Sequence, residues 1–180
     1  MTAPVLTPSS KSFSPKSLPM SSPEQPSLKA VVDINILVRG TLSTTGGSAL
    51  IIGAIKRGRC VLITSRQHLS ELYNVLGRPR IADKYGVTER ERRQLVGRLY
   101  AGALVVTPAD HLSLCRDPKD DYLLEMALLG QATHLVTEDD DLHDDLAIRS
   151  LLRDYGVRLV HIAEFLVDLA RASNSPCNCE

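Results

Sequence analysis

The sequence predicts an α/β domain, a three-layer sandwich in which helices cover both faces of a central parallel sheet of about five strands. Three observations lead there. Short runs rich in Val, Ile and Leu alternate along the chain with segments of helical spacing, and strands separated by helices need crossover connections, which make a sheet parallel. The helical segments carry recognisable start and stop residues. Across 180 residues, 43% are hydrophobic, enough to fill one core.

Residues 1–27 hold six Pro and eight Ser with few apolar side chains, and are expected to be a disordered tail. The folded domain is expected over residues 28–172. Lys29–Val38, KAVVDINILV, reads as a strand buried on both faces. Thr41–Gly47 reads as a loop and Ser48–Arg57 as a helix. Cys60–Thr64 is the second strand, and Ser65 caps a helix through Leu76 whose apolar face holds Leu69, Leu72, Val75 and Leu76. Pro79 and Gly86 bracket a short turn-and-helix piece. Thr88 and Glu91 form a capping box opening a helix to about Ala101. Ala103–Val106 is the third strand. Pro118 suits the first turn of a helix that runs to Leu129 and stops at Gly130. Thr133–Thr137 is the fourth strand, a polar helical stretch ends at Gly156, and Val157–Val160 is the fifth. Ile162–Ala172 closes the domain as a helix, and residues 173–180 form a tail. No internal repeat is visible.

Composition narrows the function classes. There is no apolar run long enough for a membrane span and no signal-peptide pattern near the N-terminus, so the expected location is the cytoplasm. Cys60 and Cys115 read as small buried thiols. Cys177 and Cys179 form a C-x-C without a second ligand pair, which matches no zinc framework. Net charge is zero but unevenly spread. Residues 56–98 carry eleven Lys and Arg against four acids, and residues 110–145 carry eleven acids against only Arg116 and Lys119. Such a chain can present one face to phosphates and another to cations, although two solvated helix surfaces would look the same.

The acids fall where ligands bind in parallel sheets, beyond the carboxyl ends of the strands. Asp33 lies inside the first apolar run, with Asn35 two residues on and therefore on the same side of a strand. A carboxylate there needs a partner or a metal. Glu71 adjoins the buried stripe of its helix, where a solvated Glu is the ordinary reading. Asp117, Asp120 and Asp121 share one face at the start of the fourth major helix, where acids also favour the helix dipole. Thr137 and four consecutive acids, Glu138 to Asp141, follow the fourth strand. Three segments thus deliver acids to one edge. Carboxylates are hard oxygen ligands suited to Mg²⁺ or Mn²⁺. The histidines, at 68, 111, 134, 143 and 161, are dispersed and read as ordinary residues. A carboxylate set without a Gly-rich phosphate loop points to metal-assisted attack on a phosphodiester.

The ordered set Asp33-x-Asn35, Glu71, Arg116-Asp117-Pro118-x-Asp120-Asp121 and Val136-Thr137-x-Asp139-x-Asp141-Leu142 resembles the PIN-domain family over residues 28–170. It is most similar to the family's bacterial branch of VapC-like toxin components of toxin–antitoxin pairs. The resemblance implies a metal-dependent endoribonuclease using one or two Mg²⁺ or Mn²⁺ ions. It assigns Asp33, Glu71, Asp121 and Asp139 as the catalytic acids, Asp33, Asp121 and Asp139 as direct metal ligands and Asp141 as an auxiliary acid. Asn35, Thr137, Asp117 and, more weakly, Ser65 would support the site. Arg78, Arg80, Arg90 and Arg93 would track an RNA backbone, by shape and charge more than by base stacking. An antitoxin protein and a homodimer are the implied partners. Two departures are Ile34, where Thr is frequent, and Glu138, where Gly is frequent and which adds bulk and charge beside Asp139. The alternative is a non-catalytic module of the same fold that binds RNA or a protein. A receiver-like or phosphatase domain would need a Lys at a later strand end, and no such Lys is present.

Overall fold

The computed structural model describes residues 28–109, 112–115 and 121–174. The expected tail at 1–27, Asp117 and Asp120 with their neighbours Arg116 and Pro118, and the C-x-C at Cys177 and Cys179 lie outside them. In chain order the elements are β1 (Lys29–Val32), α1 (Ile34–Leu42), α2 (Gly47–Lys56), β2 (Val61–Thr64), α3 (Arg66–Leu76), α4 (Pro79–Tyr85), α5 (Glu89–Gly102), β3 (Leu104–Val105), α6 (Asp121–Leu129), β4 (His134–Val136), α7 (Asp140–Asp144), α8 (Leu146–Asp154), β5 (Arg158–Val160) and α9 (Ile162–Asn174).

The five strands form one parallel sheet in the order β3-β2-β1-β4-β5. Alternation along each strand divides its side chains between two apolar layers. Ala30, Val32, Leu62, Val136 and Val160 face α1, α2, α3, α5 and α9, meeting Ile36, Leu37, Ile51, Leu72, Leu99 and Phe165. Val31, Ile63 and Leu135 face the opposite way, toward Leu124, Met126, Ile148 and Leu152 of α6 and α8. The three-layer sandwich read from the sequence is therefore the observed architecture. Among the described residues no helix is long and apolar enough to cross a membrane.

One local expectation is corrected. The run expected to be a single strand from Lys29 to Val38 is a strand only as far as Val32, and the rest opens α1. Periodicity cannot separate a buried strand from a buried helix in so apolar a stretch. The break comes at Asp33, whose carboxylate Oδ1 accepts a hydrogen bond from the Asn35 backbone N–H at 2.8 Å and caps α1. Asn35 consequently sits in a helical first turn, not on the strand side shared with Asp33. The α1 helix then packs closely on α2: a Cβ on Gly40 would lie 2.3 Å from the Ser48 carbonyl oxygen. The helix starts at Ser65 and Thr88 form as expected, the latter with both bonds of its capping box.

A candidate metal centre at the sheet edge

The strand order fixes where a site can form. From β1 the chain steps outward to β2 and β3 on one side, and later to β4 and β5 on the other, so direction reverses between β1 and β4. The helices that follow these two strands diverge, which leaves a crevice beyond their carboxyl ends. Val32 and Val136 are paired across the two strands, and the Asp33 N–H donates to the Val136 carbonyl at 2.9 Å. Asp33 and Thr137, one residue further on each strand, therefore meet at the mouth of the crevice.

Thr137 is the hub of that mouth. It is fully buried, and its hydroxyl donates to Asp33 Oδ2 at 2.7 Å while accepting from the Asp139 N–H at 3.1 Å. Asp139 in turn caps α7, its Oδ1 accepting from the Asp141 N–H at 3.0 Å. One hydroxyl thus ties together two of the acids singled out in the sequence. The four-acid run is not a plain turn, because its second half starts a short helix. Asp139, Asp140 and Asp141 are exposed. Glu138 turns away toward α9, where its Oε1 accepts from the Ile162 N–H at 2.7 Å. Ile34 packs against the apolar layer beneath α1, as expected of a residue that does not face the site.

The second group of acids is carried by α3 and α6. Asp121 begins α6, a helix packed against β1, β2 and β4. Its Oδ1 accepts from the N–H groups of Leu114 at 2.9 Å and Cys115 at 2.8 Å. Burial acts to raise the Asp121 pKa, but those two bonds and the Cys115 thiol outweigh it and hold the carboxyl below its usual value. Glu71, half-buried on α3, accepts from the Tyr122 hydroxyl at 3.0 Å, which links it to the residue next to Asp121. Ser65 accepts from the His68 N–H at 3.1 Å and so sets the start of the helix that carries Glu71.

Several residues of this region escaped the sequence reading. Glu125, only 6% exposed on α6, takes the Ala109 N–H at 2.7 Å and the Leu112 N–H at 2.8 Å, fastening the chain that leads into the site. The signal was present: it is an acid inside the otherwise apolar YLLEMALL. Tyr122 gave no signal, because only the fold brings it to Glu71. The histidines are not all dispersed. His68 is fully buried beside the Tyr122 ring, with centroids 5.8 Å apart, and its Nε2 has no hydrogen-bond partner. His143 and His161 stack on each other next to Thr137 and Glu138.

The donors suit a hard divalent cation. Asp33 and Asp121 are 8% and 6% exposed, and among the described residues no Lys or Arg forms an ion pair with either of them, with Glu71 or with Asp139. Hydrogen bonds orient both carboxylates, which are hard oxygen donors of the kind a divalent cation takes. No three His, Cys, Asp or Glu of the described residues form a closed coordination cluster. The set is instead two linked pairs, Asp33–Thr137–Asp139 and Glu71–Tyr122 beside Asp121. Arg78 and Arg80 open α4, and Arg90 and Arg93 lie on α5, which packs on the helix bearing Glu71. All four are exposed, and Arg93 is paired with Glu89.

Residues 29–141 match the family model described as PIN domain, a span reaching from β1 through Asp141 and enclosing every acid named above. Searches of curated proteins and of solved structures returned no match.

Proposed function

Because this chain belongs to the PIN-domain family, whose members are nuclease-type proteins, we propose that it is a metal-dependent endoribonuclease acting as the toxin of a type II toxin–antitoxin pair. The observation that carries the reading is the pair of buried carboxylates Asp33 and Asp121, neither ion-paired to a Lys or Arg among the described residues, on elements that meet at the crevice between β1 and β4.

In this reading Asp33, Asp121 and Asp139 hold one or two Mg²⁺ or Mn²⁺ ions, with Asp141 as an auxiliary acid. Bound metal would supply Lewis acidity and lower the pKa of an attacking water. The chain's own part is placement. Thr137 fixes the Asp33 carboxylate, and the backbone N–H groups of Leu114 and Cys115 fix that of Asp121. Glu71, held by Tyr122, orients the water or completes the ligand set. The amino end of α1, at Asp33, directs a positive dipole toward the crevice and favours a phosphate there. Arg78, Arg80, Arg90 and Arg93 steer the RNA backbone. A small antitoxin protein would restrain this activity, and the active form would be a homodimer.

The test is RNA cleavage by purified protein with Mg²⁺, Mn²⁺ or EDTA, comparing wild type with Asp33→Asn and Asp121→Asn. Metal-dependent cutting abolished in both variants is the expected result, together with growth arrest on induction that Asp33→Asn relieves. If no metal supports cutting while RNA or partner binding survives both substitutions, the chain is a non-catalytic binding module.

A further inference from the structure

From the stacked imidazoles at the end of β5 we infer a nucleobase subsite, in which one base of the RNA lies on His161 and its amino group faces Glu138. This rests on the reading of the chain as a protein that takes RNA at its carboxylate crevice. The two rings lie 3.7 Å apart between centroids and 17° from parallel. His143 is the fixed floor of the stack. Its Nε2–H donates to the Thr137 carbonyl at 3.1 Å, so the stack is anchored on the residue that also holds Asp33 and Asp139. His161 is the top. One face of its ring is covered by His143, and its side chain is 42% exposed. Among the described residues β5 is the outer strand of the sheet on this side.

The position lies on the sheet edge that carries the carboxylates. β5 neighbours β4, which neighbours β1, and strands lie about 4.8 Å apart, so His161 stands about 10 Å from Asp33. The stack therefore lies two strands from Asp33 along the same edge of the sheet. Single-stranded RNA is read by splayed bases stacked on aromatic side chains, His included. The chain has no Trp, two Phe and five Tyr, and Phe165 is fully buried, so these imidazoles supply a stacking surface that the sequence reading did not anticipate. Glu138 supplies selectivity. Its Oε1 is engaged by the Ile162 N–H and lies 3.9 Å from His161 Nδ1, and its side chain is 40% exposed. Among the described residues none bonds its Oε2, which can accept from an exocyclic amino group that cytosine, adenine and guanine carry and uracil lacks.

The test uses the full chain in EDTA at low salt, so that binding is read without cleavage, by anisotropy of labelled hexamers of C, of U and of an abasic backbone. His161→Ala should weaken binding of the C hexamer roughly tenfold, the usual effect of losing one base stack, and His161→Phe should restore it. Glu138→Gln should shrink the preference for C over U severalfold. On the abasic strand wild type and His161→Ala should bind alike. If His161→Ala binds the C hexamer within twofold of wild type, or loses affinity equally on the abasic strand, the subsite is wrong. A parallel Mn²⁺ cleavage assay separates this from the nuclease reading. Binding that depends on His161 without cleavage by wild type refutes the nuclease and keeps the subsite, whereas cleavage by wild type with binding indifferent to His161 does the reverse.

Discussion

Replacing Thr137 by Val removes one hydroxyl from the most connected point of the crevice and leaves volume and β-branching nearly unchanged. The hydroxyl donates to a buried carboxylate at 2.7 Å and accepts the Asp139 N–H at 3.1 Å. A hydrogen bond to a charged group contributes about 1.5–3 kcal/mol. Asp139 itself is exposed, so a water that replaces the hydroxyl as partner of its N–H adds about 0–2 kcal/mol. The new methyl gains back about 0.8 kcal/mol of burial. The net cost is about 2 kcal/mol, or a fall in Tm of roughly 4–8 °C for a domain of this size. Differential scanning calorimetry without metal reads the fall. Repeating the substitution in an Asp33→Asn background reads the coupling, because Thr137 acts on stability mainly through Asp33 and the two effects should differ from additivity by about 1 kcal/mol or more. A Tm within 1 °C of wild type, or additive effects, would refute this account of the crevice. The same variant should bind Mn²⁺ about tenfold or more weakly in a calorimetric titration, the usual result of freeing a ligand from its orienting partner.

Two further predictions follow from neighbouring residues. Burial pushes the His68 imidazole down to about 4 from its ordinary 6.5, so the folded state refuses a proton that the unfolded chain accepts between those values. Stability is then full above about pH 6.5 and declines by roughly 3 kcal/mol as pH falls toward 4. Urea titrations at pH 7.5 and 5 should show a loss in wild type that is markedly smaller in His68→Gln, and equal losses would show that another group is responsible. Tyr122→Phe removes the hydroxyl that donates to Glu71 at 3.0 Å while keeping the buried ring. Its melting temperature should drop by only a few degrees, whereas its Mn²⁺ affinity, read from thermal stabilisation, and its RNA cleavage rate should each fall about tenfold. Unchanged metal response would remove Tyr122, and with it the support for Glu71, from the site.

The residues themselves determined the layering of this protein. Short Val- and Ile-rich segments separated by capped helices can bury their apolar faces only as a parallel sheet covered on both sides, and the strands near residues 61–64, 134–136 and 158–160 stand where the sequence puts them. Asp33 was legible because a charged group inside a buried apolar run must have a partner, and Asp121 and Asp139 because acids open a helix and follow a strand at the edge where parallel sheets bind ligands. What the sequence left open was every relation that depends on two distant segments meeting. Lys29–Val38 is apolar throughout, and whether it continues as strand or turns into helix was decided by the carboxylate of Asp33 capping the Asn35 N–H. The bond from Thr137 to Asp33 spans 104 positions, that from Tyr122 to Glu71 spans 51, and the stack of His161 on His143 exists only because β5 lies beside β4. Local pattern fixes which faces are buried. Which polar groups meet at the sheet edge depends on strand order and register, and these are settled by packing across the whole domain.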